Sequence, residues 1–307
     1  MYKFVKQNTS IMSIRKLFFK SKFIVKNIAY NLSTKPTPEH LQPFVTLQKL
    51  TGKEEGIAVV GLNRPGSRNA INKNMVDQLF NIIKQVNSSN DIRVVILRSL
   101  VKGIFCAGAD LKERLTLNPI EVRQCVTDLR HLANAIENIQ IPVIAAVDGA
   151  ALGGGFELAL SCDFIIASNN TKFGLVETRL GIIPGAGGTQ RLVRIVGGPL
   201  AKELIYSARI FSANQALQYK AVNKVIEQND QGTSAYINAI EIAKEILPNG
   251  PFAVKMAKKA IFHGQQVDFT TGFAIEEACY NQVIPTNDRI EGLVAFIEER
   301  KPKYTGS

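Results

Sequence analysis

The chain has 307 residues, 46% of them hydrophobic, and its 37 Lys and Arg against 26 Asp and Glu give a net charge of +11. That size suffices to bury a large core, one α/β domain with a smaller appendage. With 23 Gly, 12 Pro, no low-complexity tract and no 20–50-residue repeat, a solenoid is excluded. The most apolar stretch, residues 141–168, is broken by Asp148, Glu157 and Asp163, which argues against a membrane span. Cys106, Cys125, Cys162 and Cys279 are scattered and form no CxxC pair, so reduced thiols and no metal site are expected.

In chain order, residues 1–38 come first, with eight Lys or Arg and no Asp or Glu. Eight of the eleven net charges therefore sit in this leader, and +3 is left for the rest, which removes the main argument for a nucleic-acid-binding domain. Cations alternate with Ile, Leu, Phe and Val without an uninterrupted apolar core, the composition of a mitochondrial presequence and linker rather than a secretory signal. A basic tail or nucleic-acid arm is the alternative. The expected location is the mitochondrial matrix.

Pro36, Pro38 and Pro43 separate this leader from the fold. Residues 44–50 and 57–62 read as two strands of a hairpin. Met75, Val76, Leu79, Ile82, Ile83 and Val86 follow helical spacing over 72–87. A buried strand is expected at 92–97. Asn118-Pro119 opens a long helix with the stripe Val122, Val126, Leu129, Leu132, Ala133 and Ile136. Strand 143–147, a short helix through Cys162 and strand 164–167 follow. This alternation predicts an α/β fold with a mainly parallel sheet. The core is placed at 39–240 and a helical region at 241–307, with helices at 251–262, 268–284 and 286–300 whose apolar faces suit packing against another subunit.

Three segments carry candidate chemistry. In residues 143–157 a strand runs into Gly153-Gly154-Gly155 and then a helix bearing Glu157. Glycine permits close approach to the backbone, and a helix start leaves N–H groups unpaired at the positive end of the dipole, a cradle for developing negative charge. Residues 103–112 form a second small-residue turn, with Ala107, Gly108 and Ala109 allowing approach to amides and Asp110 and Lys112 offering rim contacts. Residues 173–191 place Glu177 among Phe173, Leu175, Val176 and Leu180, surroundings that raise a carboxyl pKa toward neutrality. Taken singly, each has a plain structural use: turns for packing, and a glutamate paired with Arg179 or Arg191. Pro184-Gly-Ala-Gly-Gly188 matches neither a dinucleotide fingerprint nor a Walker loop.

Together, in this order, the three segments resemble the crotonase (enoyl-CoA hydratase/isomerase) superfamily from about Phe44 to the C-terminus. The resemblance implies a spiral of ββα repeats with a C-terminal helical trimerisation region and a homotrimer or dimer of trimers. It further implies an acyl-CoA substrate, with coenzyme A belonging to that substrate and no separate cofactor. The amides of Ala109 and Gly154 would form the oxyanion hole, and Ala107, Ala109, Asp110, Leu111, Lys112 and Gly154 would contact the CoA thioester. Glu157 and Glu177 would be the catalytic pair that adds water across an α,β double bond, because isomerases of the superfamily generally lack one of them. Residues 103–114, 174–178, 200–205, 274–280 and 284–286 are most similar to the branch acting on 3-methylglutaconyl-CoA in leucine degradation. Short-chain enoyl-CoA hydratases of fatty-acid β-oxidation are the alternative. RNA binding in that branch is associated with a lysine-rich helix. Here residues 72–87 carry only Lys73 and Lys84, together with Asp77, which argues against it.

Overall fold

A computed structural model describes residues 43–307; the expected presequence lies outside them. The predicted hairpin is β1 (Val45–Lys49) and β2 (Ile57–Leu62), paired antiparallel from Val45 opposite Leu62 to Lys49 opposite Ala58. α1 (Lys73–Ser88) is capped by the Asn72 side chain, which accepts from the Met75 N–H, and buries the predicted stripe from Met75 to Val86. On its exposed side Lys73 lies 3.4 Å from Asp77.

From here the chain repeats one move: a strand in a large sheet, a short strand in a small sheet, then helix. β3 (Val94–Ser99) and β4 (Gly103–Cys106) are followed by α2 (Leu111–Arg114) and α3 (Pro119–Glu137). β5 (Val143–Val147) and β6 (Gly149–Leu152) are followed by α4 (Gly154–Leu160). β7 (Phe164–Ser168) and β8 (Lys172–Gly174) lead on to α5 (Gly188–Val196) and α6 (Gly198–Tyr206). β9 (Phe211–Ser212), α7 (Ala213–Gln218) and β10 (Lys224–Ile226) complete the sheets. The large sheet runs β1-β2-β3-β5-β7-β10 and the small one β4-β6-β8-β9, with every pairing parallel except β1–β2 and β8–β9. This is the ββα repeat that the resemblance implies.

Both faces of the large sheet are covered, as a parallel sheet requires. Val95, Leu97, Val143, Ala145 and Val147 face α1 and α3, while Val94, Ile96, Ile144 and Ala146 pack on Ala235, Ala239 and Ala243 of α8 (Ser234–Ile246). Alanines let that helix lie close to the strands. Its first turn is held by Asp148, whose carboxylate accepts from the Ala235 and Tyr236 amides at 2.8 and 3.0 Å.

Two expectations shift. The strand read at 92–97 is β3, two residues later, because pairing with β2 begins at Val94 opposite Ile57 and carries the polar Arg98 and Ser99 along to Leu62. Residues 103–106, read as part of a turn, form β4, whose register is set by Gly103 opposite Gly149 in β6. Tertiary pairing, not the local apolar run, decides both.

The three expected terminal helices are α9 (Pro251–Gly264), α10 (Phe269–Val283) and α11 (Asn287–Ile297). Asp268 caps α10 by accepting from the Thr271 N–H, and Thr286 caps α11 by accepting from that of Arg289. Lys258 ties α9 to the core, donating to Asp163 at 2.7 Å and to the Ile141 carbonyl at 3.0 Å. Phe296 and Ile297 of α11 remain 84% and 79% exposed, and Phe269 and Phe273 of α10 are exposed as well. Among the described residues no helix is long and apolar enough to cross a membrane.

Candidate active site

The repeat delivers its two small-residue turns to the same place. After β4 the chain passes through Gly108, at φ +96°, where a Cβ would come within 2.9 Å of the Leu152 carbonyl oxygen and 3.3 Å of the Gly154 nitrogen. Ile71 bridges this turn on both sides, donating to the Gly108 carbonyl at 2.7 Å and accepting from the Asp110 N–H at 2.9 Å. The Ala109 amide between them is left without an acceptor among the described residues. After β6 the chain turns at Gly153, φ +50°, and begins α4, so the Gly154 N–H is a first-turn donor with no acceptor either. A Cβ built on Gly154 would lie 3.6 Å from the Ala109 nitrogen, which shows how closely the two turns meet.

Glu157, on the first turn of α4, is 1% exposed. Its Oε1 accepts from the Ala186 N–H at 2.8 Å and the Gly188 N–H at 2.7 Å. The loop supplying those amides is braced by Arg191, which donates to the Ala186 carbonyl at 2.9 Å, to Asn134 at 2.8 Å and to Glu137 at 2.6 Å. Glu177 opens a 3-10 turn (Glu177–Leu180) and is 9% exposed. Its buried Oε2 has no hydrogen-bond partner among the described residues. Neither arginine considered as a partner for Glu177 reaches it: Arg191 is engaged as above, and Arg179 donates to the Ala208 carbonyl.

Both carboxyl groups line one cavity of about 510 Å³, together with Ala107, Ala109, Leu111 and Gly154. Burial raises both pKa values, Glu177 to about 7 with the Glu157 charge as the second cause, while the two amides and the Arg191 and Arg114 charges offset part of the rise at Glu157. Asp110 and Lys112 do not line the cavity. The Asp110 carboxylate is taken up by Arg64 at 2.6 Å and by capping α2 through the Lys112 and Glu113 amides, and Lys112 is exposed.

Three contributions are invisible in the sequence pattern. The Ala186 and Gly188 amides sit in a glycine run that gives no hint of a carboxylate partner. Val122 and Val126, read as the start of a core stripe, line the cavity wall, since one helical period serves core and pocket alike. Arg114, one turn past the oxyanion segment, also reaches the cavity.

The Glu177 shift has a stability signature. The folded chain keeps this proton up to about pH 7, whereas an ordinary Glu releases it near 4.5. The stabilising contribution is therefore complete below 4.5 and drains away as pH rises to 7. In urea unfolding, the Glu177→Gln variant should gain up to about 3 kcal/mol over the parent between pH 4.5 and 8. A pH-independent difference would mean that this carboxyl titrates normally.

The family model described as Enoyl-CoA hydratase/isomerase matches residues 52–307. The chain is 50% identical over 260 residues to "Methylglutaconyl-CoA hydratase, mitochondrial" of Homo sapiens, covering 85% of this chain and 77% of the human one. It is also 50% identical over 264 residues to "Probable enoyl-CoA hydratase 2, mitochondrial" of Arabidopsis thaliana, covering 86% of each. The crystal structure of an enoyl-CoA hydratase from Bacillus anthracis superposes with a TM-score of 0.82 at 45% identity, covering 86% of this chain and all of that one. With the repeat architecture, the facing turns and this breadth of likeness together, the chain belongs to the enoyl-CoA hydratase/isomerase family.

Proposed function

We propose that the chain is an acyl-CoA hydratase, adding water reversibly across the α,β double bond of an enoyl-CoA thioester, with 3-methylglutaconyl-CoA as substrate and 3-hydroxy-3-methylglutaryl-CoA as product. The observation that carries this reading is the pair of buried carboxyl groups lining one cavity beside two acceptor-free amides. The amides of Ala109 and Gly154 would hold the thioester oxygen as it gains negative charge. Glu157, whose two N–H donors oppose the rise that burial imposes, would take a proton from water as the oxygen bonds to Cβ. Glu177, protonated near neutral pH, would deliver its proton to Cα. Return of a proton from Glu157 to Glu177 through solvent resets the pair. Ala107 and Leu111, which line the cavity, would flank the CoA portion, with the exposed Lys112 next along the same turn and Asp110 holding that turn in place through Arg64.

The likeness to the human methylglutaconyl-CoA hydratase and the segments named above support the branched, carboxylated substrate; the equal identity to the Arabidopsis hydratase keeps the short-chain alternative in the comparison. Measured kcat/KM for 3-methylglutaconyl-CoA is expected to exceed that for crotonyl- and tiglyl-CoA by at least about tenfold, because a site built around a polar group rejects substrates lacking it. The reverse order would assign the short-chain reaction. The mitochondrial names of these relatives and the acid-free basic leader support action in the mitochondrial matrix. The exposed apolar side chains of α10 and α11 support assembly into trimers or dimers of trimers.

A further inference from the structure

A carboxylated acyl chain needs a cation where its far end lies, and the cavity offers few. Its wall is mostly apolar, with Val122, Val126 and Leu129 from α3 and Leu180 and Ile182 opposite. Two arginines interrupt it, Arg114 and Arg130. Arg130 is exposed, and its Nε already donates to the Gly185 carbonyl at 3.1 Å. Arg114 is half-buried at the end of α2, and its guanidinium has no hydrogen-bond or ion-pair partner among the described residues. The neighbouring acid is engaged elsewhere: the Glu113 carboxylate accepts from the Lys73 N–H.

Arg114 is also held in place. The single turn of α2 starts at Asp110, whose carboxylate caps it and is fixed in a buried ion pair with Arg64. The same residue follows Ala109, the oxyanion donor, so Arg64 and Asp110 set the spacing between that amide and the guanidinium. Arg114 lines the same cavity as Glu157 and Glu177, which places it near the reacting centre rather than out on the surface. A half-buried guanidinium at the edge of an apolar wall, with no acid in ion-pair contact, is free to take up a ligand anion. A planar fork suits a carboxylate better than a point charge would.

We infer that Arg114 is the specificity-determining residue that pairs with a carboxylate at the far end of the acyl chain, so that the preferred ligands are monothioesters of dicarboxylic acids. This rests on the acyl-CoA reading of the cavity. The chemistry is ion pairing only: no bond to substrate forms or breaks at Arg114.

The test uses saturated thioesters, which bind without turning over. Titration calorimetry compares glutaryl-CoA, five carbons ending in a carboxylate, with butyryl-CoA. The parent chain is expected to bind glutaryl-CoA roughly tenfold to a hundredfold more tightly, the range of one charge-assisted contact. Arg114→Met should lose that preference, and Arg114→Lys should restore part of it, which separates a lost charge from a damaged fold. The inference is overturned if the parent shows no preference or if Arg114→Met keeps it. It is equally overturned if Arg114→Met weakens both ligands by the same factor, which would assign the guanidinium to the CoA phosphates. Failure of the hydratase reading shows up separately, as no loss of the conjugated-enoyl absorbance with any enoyl thioester, and leaves these binding ratios untouched.

Discussion

Replacing either Glu157 or Glu177 by Gln is expected to lower kcat for enoyl-CoA hydration by about a thousandfold or more, with KM little altered. The amide keeps the volume of the carboxyl group but can neither take up nor release a proton at this stage of the reaction, and positioned acid or base groups contribute about 10²–10⁴-fold each. The two losses should not multiply in the double variant, since removing one half of a proton-handling pair already idles the other. Glu157→Gln has a second cost. Oε1 accepts two main-chain N–H bonds, and an amide that rotates to present NH₂ to those donors would lose both. Glu177→Gln has no such bonds to lose at Oε2, so its catalytic loss should come without a loss of stability. In the parent, the rate should depend on a group titrating near pH 7, and that limb should vanish in Glu177→Gln. Activity near that of the parent in either variant, measured as loss of the conjugated-enoyl absorbance, would refute the two-carboxyl scheme.

Gly155→Ala should be among the most damaging single substitutions outside the acids. A Cβ there would collide with the Cys106 carbonyl oxygen and approach the Cys106 Cβ to 2.7 Å. Cys106 is fully buried and belongs to β4, paired opposite Ala151 of β6, so the neighbour cannot step aside without breaking the small sheet. Overpacking against backbone that cannot yield costs about 3 kcal/mol or more. Because α4 would be pushed away from the Ala109 turn, the folded fraction should also lose about a hundredfold in kcat through the displaced Gly154 donor. Gly198→Ala is the contrasting case: α6 starts there with no positive φ and open space around the position, so its urea midpoint should match the parent or rise slightly. Equal midpoints for the two variants would show that the α4–β4 contact is slack.

The fold was readable wherever a side-chain period ran long enough. α1, α3 and the three terminal helices stand within a few residues of where caps and apolar spacing put them, because Asn72, Asn118, Asp268 and Thr286 do as N-caps what those residue types do generally. The small sheet was not readable, since strands of two to four residues carry no period; β4 and β9 exist because a neighbouring strand pairs with them. At the site, the acids and the two glycine-bearing turns were recognisable as types from the residues, but only the family resemblance implied their convergence. Glu177 follows Glu157 by a full β7–β8 unit, and only the parallel pairing of β6 with β8 brings the two segments side by side. The holders of Glu157 were hidden for another reason: main-chain donors leave no trace in residue identity.

The way α3 is mounted bears on how this scaffold can change its diet. Its second half is locked under the large sheet by Leu129, Leu132, Ala133 and Ile136, whereas Val122 and Val126 on the first half do nothing for that core and only bound the chamber. Arg114 aside, much of the wall an acyl chain would meet is thus set on a helical shoulder that the core does not hold, while the acceptor-free amides sit in turns where an added Cβ meets backbone. Apolar replacements at Val122 or Val126 can therefore reshape the chamber without disturbing the packing under the sheet.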